Sequence, residues 1–189
     1  MDELEVAIEK VREIVKKRGI DFRDGLPEPL FEFATSLMPT PNIDLLIIND
    51  NGEVLLTWRS DRFYGVGWHI PGGCIRIQET LDERIQKTAL SEIGSTVIYN
   101  KNPIVTREAF VKRDRPWLKD QLERSHNISI LYEARLPDGF QINNGDKSEH
   151  EVGYMKWFSE VPDDLLPEHQ DLYADINRKY LDLEEKKND

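Results

Sequence analysis

Three glutamates, a glycine pair and a glutamate–histidine pair carry the most conspicuous chemistry in this chain of 189 residues. Gly72 and Gly73 precede Glu79, Glu83 and Glu92 in a stretch that closes at Gly94. Carboxylates so close together can serve a hard divalent cation, which takes oxygen ligands and keeps positions for water and phosphate oxygens. Further on, Glu149 and His150 stand side by side in the polar run GDKSEHEVG. Histidine, with a reference pKa of about 6.5, offers a base near neutral pH. Each feature alone also has a plainer explanation. The glutamates fit the wet face of an amphipathic helix, Gly72-Gly73 is a turn signal, and His150 fits an exposed loop. Arg59 fits a surface ion pair of small worth. Asp44 is harder to dismiss, because it begins an apolar run and burying an unpaired carboxylate is costly.

Composition narrows the possibilities. Hydrophobic residues make up 39% and charged residues 32%, a soluble globular profile with room for one domain. No apolar run approaches the roughly 20 residues that cross a bilayer, and MDELEVAIEK lacks the order of a secretory leader. A cytoplasmic protein without a membrane partner is therefore expected. The formal charge of −11 argues against nucleic acid as a partner, since an acidic surface repels a phosphate backbone. It permits a small phosphorylated ligand, because a metal ion neutralises carboxylates and phosphates together. One cysteine, Cys74, rules out an intrachain disulfide and a multi-cysteine metal site.

The elements that must position these residues read as follows. Leu4, Ala7, Ile8, Val11, Ile14 and Val15 form one helical face ended by Gly19, predicting a surface helix packed on the domain or on a second subunit. A proline-broken arm follows, with an ordered piece at Phe31 to Met38. IDLLIIN and EVLLTWR, separated by Asp50, Asn51 and Gly52, predict a β-hairpin. SDRFYGVGWHIPGG reads as a loop whose end is aromatic and apolar. Leu81, Ile85, Ala89 and Ile93 recur every four residues up to Gly94, predicting a glycine-capped helix. Strands resume at IVTREAFV and HNISILYEARL, where Ile128, Ile130, Tyr132, Ala134 and Leu136 alternate with more polar positions, and again at Gly153 to Phe158. The intervening RDRPWLKDQLERSH is long enough for a lid. Glu168 to Lys187 predicts a final helix with Leu172, Ile176 and Tyr180 on one side. The sum is α+β, with residues 1–30 as an N-terminal helix and arm, 31–166 as the domain, and 167–189 as a C-terminal helix and tail. The aromatics Phe63, Tyr64, Trp68 and Trp117 offer a base or sugar platform, although core packing explains each as well.

The stretch from Gly73 to Gly94 resembles the signature of the Nudix hydrolase family. Gly73 and Glu79 fit its first glycine and glutamate. Lys87 takes the arginine position, Thr88 the first glutamate of the helical group, Ala89 the apolar position, Ser91 and Glu92 the paired glutamates, and Gly94 the closing glycine. The reduced carboxylate set resembles one branch, the GDP-mannose mannosyl hydrolases, and the likeness extends through IDLLIINDNGEVLLTWR, GWHIPGG and, more loosely, FEFATSLMP. It spans about Phe31 to Phe158 and leaves the first helix outside.

The resemblance implies an α/β/α sandwich with a mixed β-sheet, here with an added N-terminal helix. It also implies magnesium, with manganese as a substitute, held by Gly72, Glu92 and Glu149, with Glu79 as a further candidate ligand. His150 would be the general base. Asp44, Arg59 and Lys87 would organise substrate, joined by His69 and Trp68. Cys74 and Lys87 stand where that branch has arginines, and neither supplies a planar bidentate fork. The implied reaction is hydrolysis of a nucleoside diphosphate sugar resembling GDP-mannose, by attack of water on the sugar carbon, with Arg59 neutralising phosphate charge. The alternatives are a pyrophosphatase of nucleoside diphosphate sugars or ADP-ribose acting at phosphorus, and a noncatalytic domain that binds a nucleotide or protein. A homodimer is an expected partner, joined through the first helix.

Overall fold

Strand β1 (Thr40–Ile47) is buried on both faces, and the rest of the molecule is arranged around it. The computed structural model describes residues 2–61, 63–110 and 126–170. Ahead of β1 come α1 (Glu3–Arg18) and α2 (Glu28–Leu37). After it come β2 (Val54–Asp61), β3 (Gly65–His69), β4 (Gly72–Cys74), α3 (Leu81–Glu92), β5 (Ile98–Tyr99), β6 (Val105–Phe110), β7 (His126–Arg135) and β8 (Met155–Phe158). A five-stranded mixed sheet runs β4-β1-β7, with β5 and β6 both pairing with β7; β1 and β7 are parallel and the other pairs antiparallel. A three-stranded antiparallel sheet runs β3-β2-β8. The fold is α+β, a mixed sheet with flanking helices, as expected from the sequence.

The two-fold alternation of strand side chains sorts β1 into two environments. Ile43, Leu45 and Ile47 pack with Ile85 and Ala89 of α3 and with Ile93 at its C-terminal cap. Leu46 joins Leu131 of β7 against Leu56, Trp58, Trp68 and Ile70. Asp44 shares the face of Leu46 and so points between the sheets. Helix α3 starts where Thr80 and Glu83 satisfy each other's backbone amides in a capping box, and the chain leaves it at Gly94 with φ +79°.

Several expectations are corrected. The predicted hairpin does not form a ladder: β1 and β2 belong to different sheets and share only the isolated bridge Ile48↔Val54. The turn is real, but each strand is already flanked by other partners. The segment read as a loop before Gly73 holds β3 and β4. Its glycines reflect close backbone approach, since a Cβ on Gly67 would lie 2.4 Å from the Asp164 carbonyl. Strand β7 is sheltered on both sides, with Asn127, Ser129 and Leu131 buried opposite the predicted apolar row. Helix α1 buries none of its residues; Leu4 is 65% and Val11 40% exposed, so its apolar face is not packed on the described domain. The lid segment, Trp117, and the tail helix beyond residue 170 lie outside the described residues. Among the described residues, no helix is long and apolar enough to cross a membrane.

Candidate functional site

Gly72 stands where three cavities meet. It pairs with Asp44 across the β1–β4 ladder, and a Cβ there would fall 2.2 Å from Asp44 Oδ1. A Cβ on Gly73 would fall 2.7 Å from Thr88 Oγ1. The glycine pair is thus required by what lies above it, Asp44 on one side and Thr88 of α3 on the other.

The second cavity, of about 500 Å³, is lined by Gly72, Glu92, His69 and Arg59. His69, 4% exposed, donates from Nδ1 to the Thr57 carbonyl at 2.8 Å, which leaves Nε2 as an acceptor. Glu92 Oε2 lies 3.6 Å from that nitrogen, so two acceptors face each other and a donor or cation between them satisfies both. Arg59 is held by Asp61, whose carboxyl lies below its ordinary value: burial raises it, but Arg59 and the Tyr64 and Phe63 amides outweigh burial. The Arg59 guanidinium sits 4.7 Å from the centre of the Tyr64 ring and lines both this cavity and the next.

The first cavity, of about 220 Å³, is polar. Asp44 accepts from Asn42 Nδ2 at 2.8 Å and from the Ser129 hydroxyl. Burial pushes its carboxyl above the ordinary 3.8, against the bonds from Ser129 and Asn42 and the charges of His69 and Arg59. Asn127 donates to the Tyr64 hydroxyl. His169, in a helical turn at 167–170, accepts the Ile70 amide on Nδ1 at 2.9 Å. Desolvation, then His69 and Arg59, hold it well below 6.5, so it is neutral and carries its proton on Nε2. His169, Asn127 and Ser129 were missed in the sequence. Asn127 and Ser129 occupy the polar half of an alternating strand, normally the outward half. His169 carries no local signal.

The third cavity, of about 620 Å³, lies between the arm around α2 and the Gly72–Ile77 strand and loop.

The other expected residues fall elsewhere. Glu79 Oε1 pairs with Lys87 at 3.0 Å, while its Oε2 lies 3.4 Å from Arg84 and accepts the Arg76 amide at 3.0 Å. Burial raises this carboxyl, but the Arg76 amide, Lys87 and Arg84 bring it below its ordinary value. Lys87 and Glu79 therefore close the loop ahead of α3 onto the helix. Glu149 pairs with Lys156 at 2.8 Å. His150 packs on Trp58, centroids 4.3 Å apart, and lies 3.9 Å from Asp164; neither Glu149 nor His150 lines the three cavities. Trp68, 2% exposed, belongs to the aromatic core with Trp58 and Phe158. Among the described residues, no three His, Cys, Asp or Glu side chains are grouped to hold a metal ion. The oxygens available around Gly72 are the Asp44 and Glu92 carboxylates and the backbone carbonyls, and a pair of protein oxygens suits magnesium when water and phosphate supply the rest.

The NUDIX domain profile matches residues 38–180. The low-salt glycan biosynthesis protein Agl8 of Haloferax volcanii is 26% identical over 113 residues, covering 60% of this chain and 69% of that protein. The structure of the MutT protein from Methanosarcina mazei Go1 superposes with a TM-score of 0.56 at 19% identity, covering 75% of this chain and 96% of that one. A MutT/nudix family protein from Enterococcus faecalis gives 0.53 at 16%, covering 77% and 64%.

Proposed function

We propose, from the premise that this chain belongs to the NUDIX domain family and is a Nudix-type hydrolase, that it cleaves the diphosphate bridge of a nucleoside diphosphate sugar by attack of water on phosphorus. The observation that carries this reading is the meeting of the three cavities at Gly72. A bridging diphosphate placed there has Glu92 and His69 on one flank and room for a group on either side. Agl8, by its name a glycan biosynthesis protein, supports a sugar as one of those groups.

Glu92 and the Gly72 carbonyl would hold magnesium, which when bound neutralises bridge charge and acidifies water. Arg59, fixed by Asp61 and Tyr64, neutralises phosphate oxygens. His69, with its Nδ1–H committed to Thr57, turns Nε2 towards Glu92, so a water or substrate hydroxyl between them would donate to either acceptor. His169 offers Nε2–H as a neutral donor to an acceptor in the polar cavity. Attack at the sugar carbon draws less support, since His150, its implied base, packs on Trp58 and does not line the Glu92 cavity.

A panel of nucleotide sugars hydrolysed with magnesium in oxygen-18 water tests the reaction. The expected label lies in a nucleoside monophosphate or a sugar phosphate. Labelled free sugar beside unlabelled nucleoside diphosphate rejects attack at phosphorus. No turnover of any member rejects this substrate class.

A further inference from the structure

His69 is a buried histidine on β3, opposite Thr57 of β2 in the ladder, and one of its ring nitrogens has no fixed partner. Its Nδ1 donates to the Thr57 carbonyl at 2.8 Å. The Thr57 hydroxyl stands 3.1 Å from Nδ1 and 3.3 Å from Nε2. An atom so nearly equidistant from both nitrogens lies off the lone-pair axis of either. Nε2 faces Glu92, whose Oε2 is 3.6 Å away. A charge-assisted hydrogen bond between them would measure about 2.7–2.9 Å, so the gap is too wide for a direct bond. Two neighbouring ligands on one cation, each bonded at about 2.0–2.2 Å, stand about 3.0–3.5 Å apart. The gap is close to that span. The bond from Nδ1–H to a backbone carbonyl is also the arrangement that fixes the tautomer and ring plane of a metal-bound histidine.

We infer that His69 is a nitrogen ligand to the metal ion at Glu92, and that the site accordingly holds cobalt, zinc or manganese more tightly than magnesium. Gly72, Glu92 and His69 line one cavity of about 500 Å³, so a backbone carbonyl, a carboxylate oxygen and an imidazole nitrogen are available to one ion. Only two of these donors are side chains, in keeping with the absence of any group of three such side chains among the described residues. Magnesium takes oxygen ligands and keeps its waters, so with magnesium bound Nε2 is left to a water or a substrate hydroxyl. An imidazole suits the transition ions, and their affinity for a nitrogen-bearing site rises from manganese to cobalt. The same pair of side chains therefore gives two ions different shells. The inference rests on the reading of Glu92 as a metal ligand, but not on the identity of the substrate.

Cobalt(II) added to the full chain, followed by proton NMR and calorimetric titration, tests it. Coordination through Nε2 leaves the Nδ1 proton on its bond to Thr57 and close to a paramagnetic ion. One exchangeable imidazole N–H signal should therefore appear far outside the ordinary range and vanish in heavy water. It should be absent from His69→Gln and present in His150→Gln and His169→Asn. His69→Gln should also weaken cobalt by about tenfold or more, at least the loss caused by removing an outer partner of a ligand, and change magnesium by less than about twofold. No cobalt binding, no shifted signal, a signal that survives in His69→Gln, or equal losses for cobalt and magnesium in that variant each overturn the inference. Should His69→Gln fail to fold, the other three of the four histidines decide: the signal must persist in His126→Gln, His150→Gln and His169→Asn, and its loss in any of them overturns the inference. A shifted signal without turnover of any nucleotide sugar rejects the proposed substrate and keeps the nitrogen ligand; turnover with magnesium and no shifted signal does the reverse.

Discussion

The polar cavity at Asp44 and the apolar cavity under the arm lie on opposite sides of the same two glycines, yet they were built differently. Around Asp44 the polar groups are paired with one another: Asn42 and Ser129 with Asp44, Asn127 with Tyr64, and the Ile70 amide with His169. Under the arm, Thr40 and Thr88 have no partner. Satisfied networks hold their shape, whereas hydroxyls buried without a partner add no directional bond to fix theirs. The difference teaches that a polar network shapes the first side, whereas packing of the arm shapes the second.

Changes on each side should therefore register in different measurements. The largest expected effect is at the junction. Glu92→Gln should lower turnover by about a hundredfold or more and raise the magnesium needed for half-activity, with little change in folding; turnover within a few-fold of the parent would remove Glu92 from the site. Next is the polar network. Asp44→Ala leaves Ser129 and Asn42 without their acceptor and should cost about 3 kcal/mol in denaturant unfolding, while the isosteric Asp44→Asn costs less.

Acidity separates the two further. Because the folded carboxyl of Asp44 is raised, its contribution is fully present below the ordinary 3.8 and is lost as pH rises through the folded value. Asp44→Asn should thus gain on the parent as pH rises above the carboxylate range; a flat difference would show Asp44 ionising as easily folded as unfolded. His169 has the opposite sign: its folded value is depressed, so the parent should lose stability as pH falls below 6.5. His169→Asn, which keeps an acceptor for the Ile70 amide, should lack that loss. The smallest effect belongs to α1. Since it buries nothing, Val11→Ser should change unfolding by no more than about 0.5 kcal/mol, and a larger loss would mean that the helix packs on the domain.

The sequence disclosed what is local and withheld what depends on return of the chain. Ile85, Ala89 and Ile93 spell the buried face of α3, although Leu81, in the same series, is 42% exposed. The strands of β1 and β2 were legible but their pairing was not, because a tight turn says nothing about competing partners farther along. Glu92 and Gly72, singled out through the family resemblance, line the same two cavities. Glu79 and Lys87 belong to the same spacing, yet they meet each other, Glu79 in the loop ahead of α3 reaching Lys87 in the middle of the helix. Asn127 and Ser129 look outward-facing by alternation alone, and only the second sheet turns their side inward.

The bond from the Ile70 amide to His169 spans 99 residues, and it sets an order of events during synthesis. The strands of both sheets are all made once β8 has emerged from the ribosome, but Leu165, which bridges to Trp68, and the His169 wall of the polar cavity follow it. The His169 side of that cavity is therefore contributed by chain made after every described strand, together with the core residues Leu165 and Leu166.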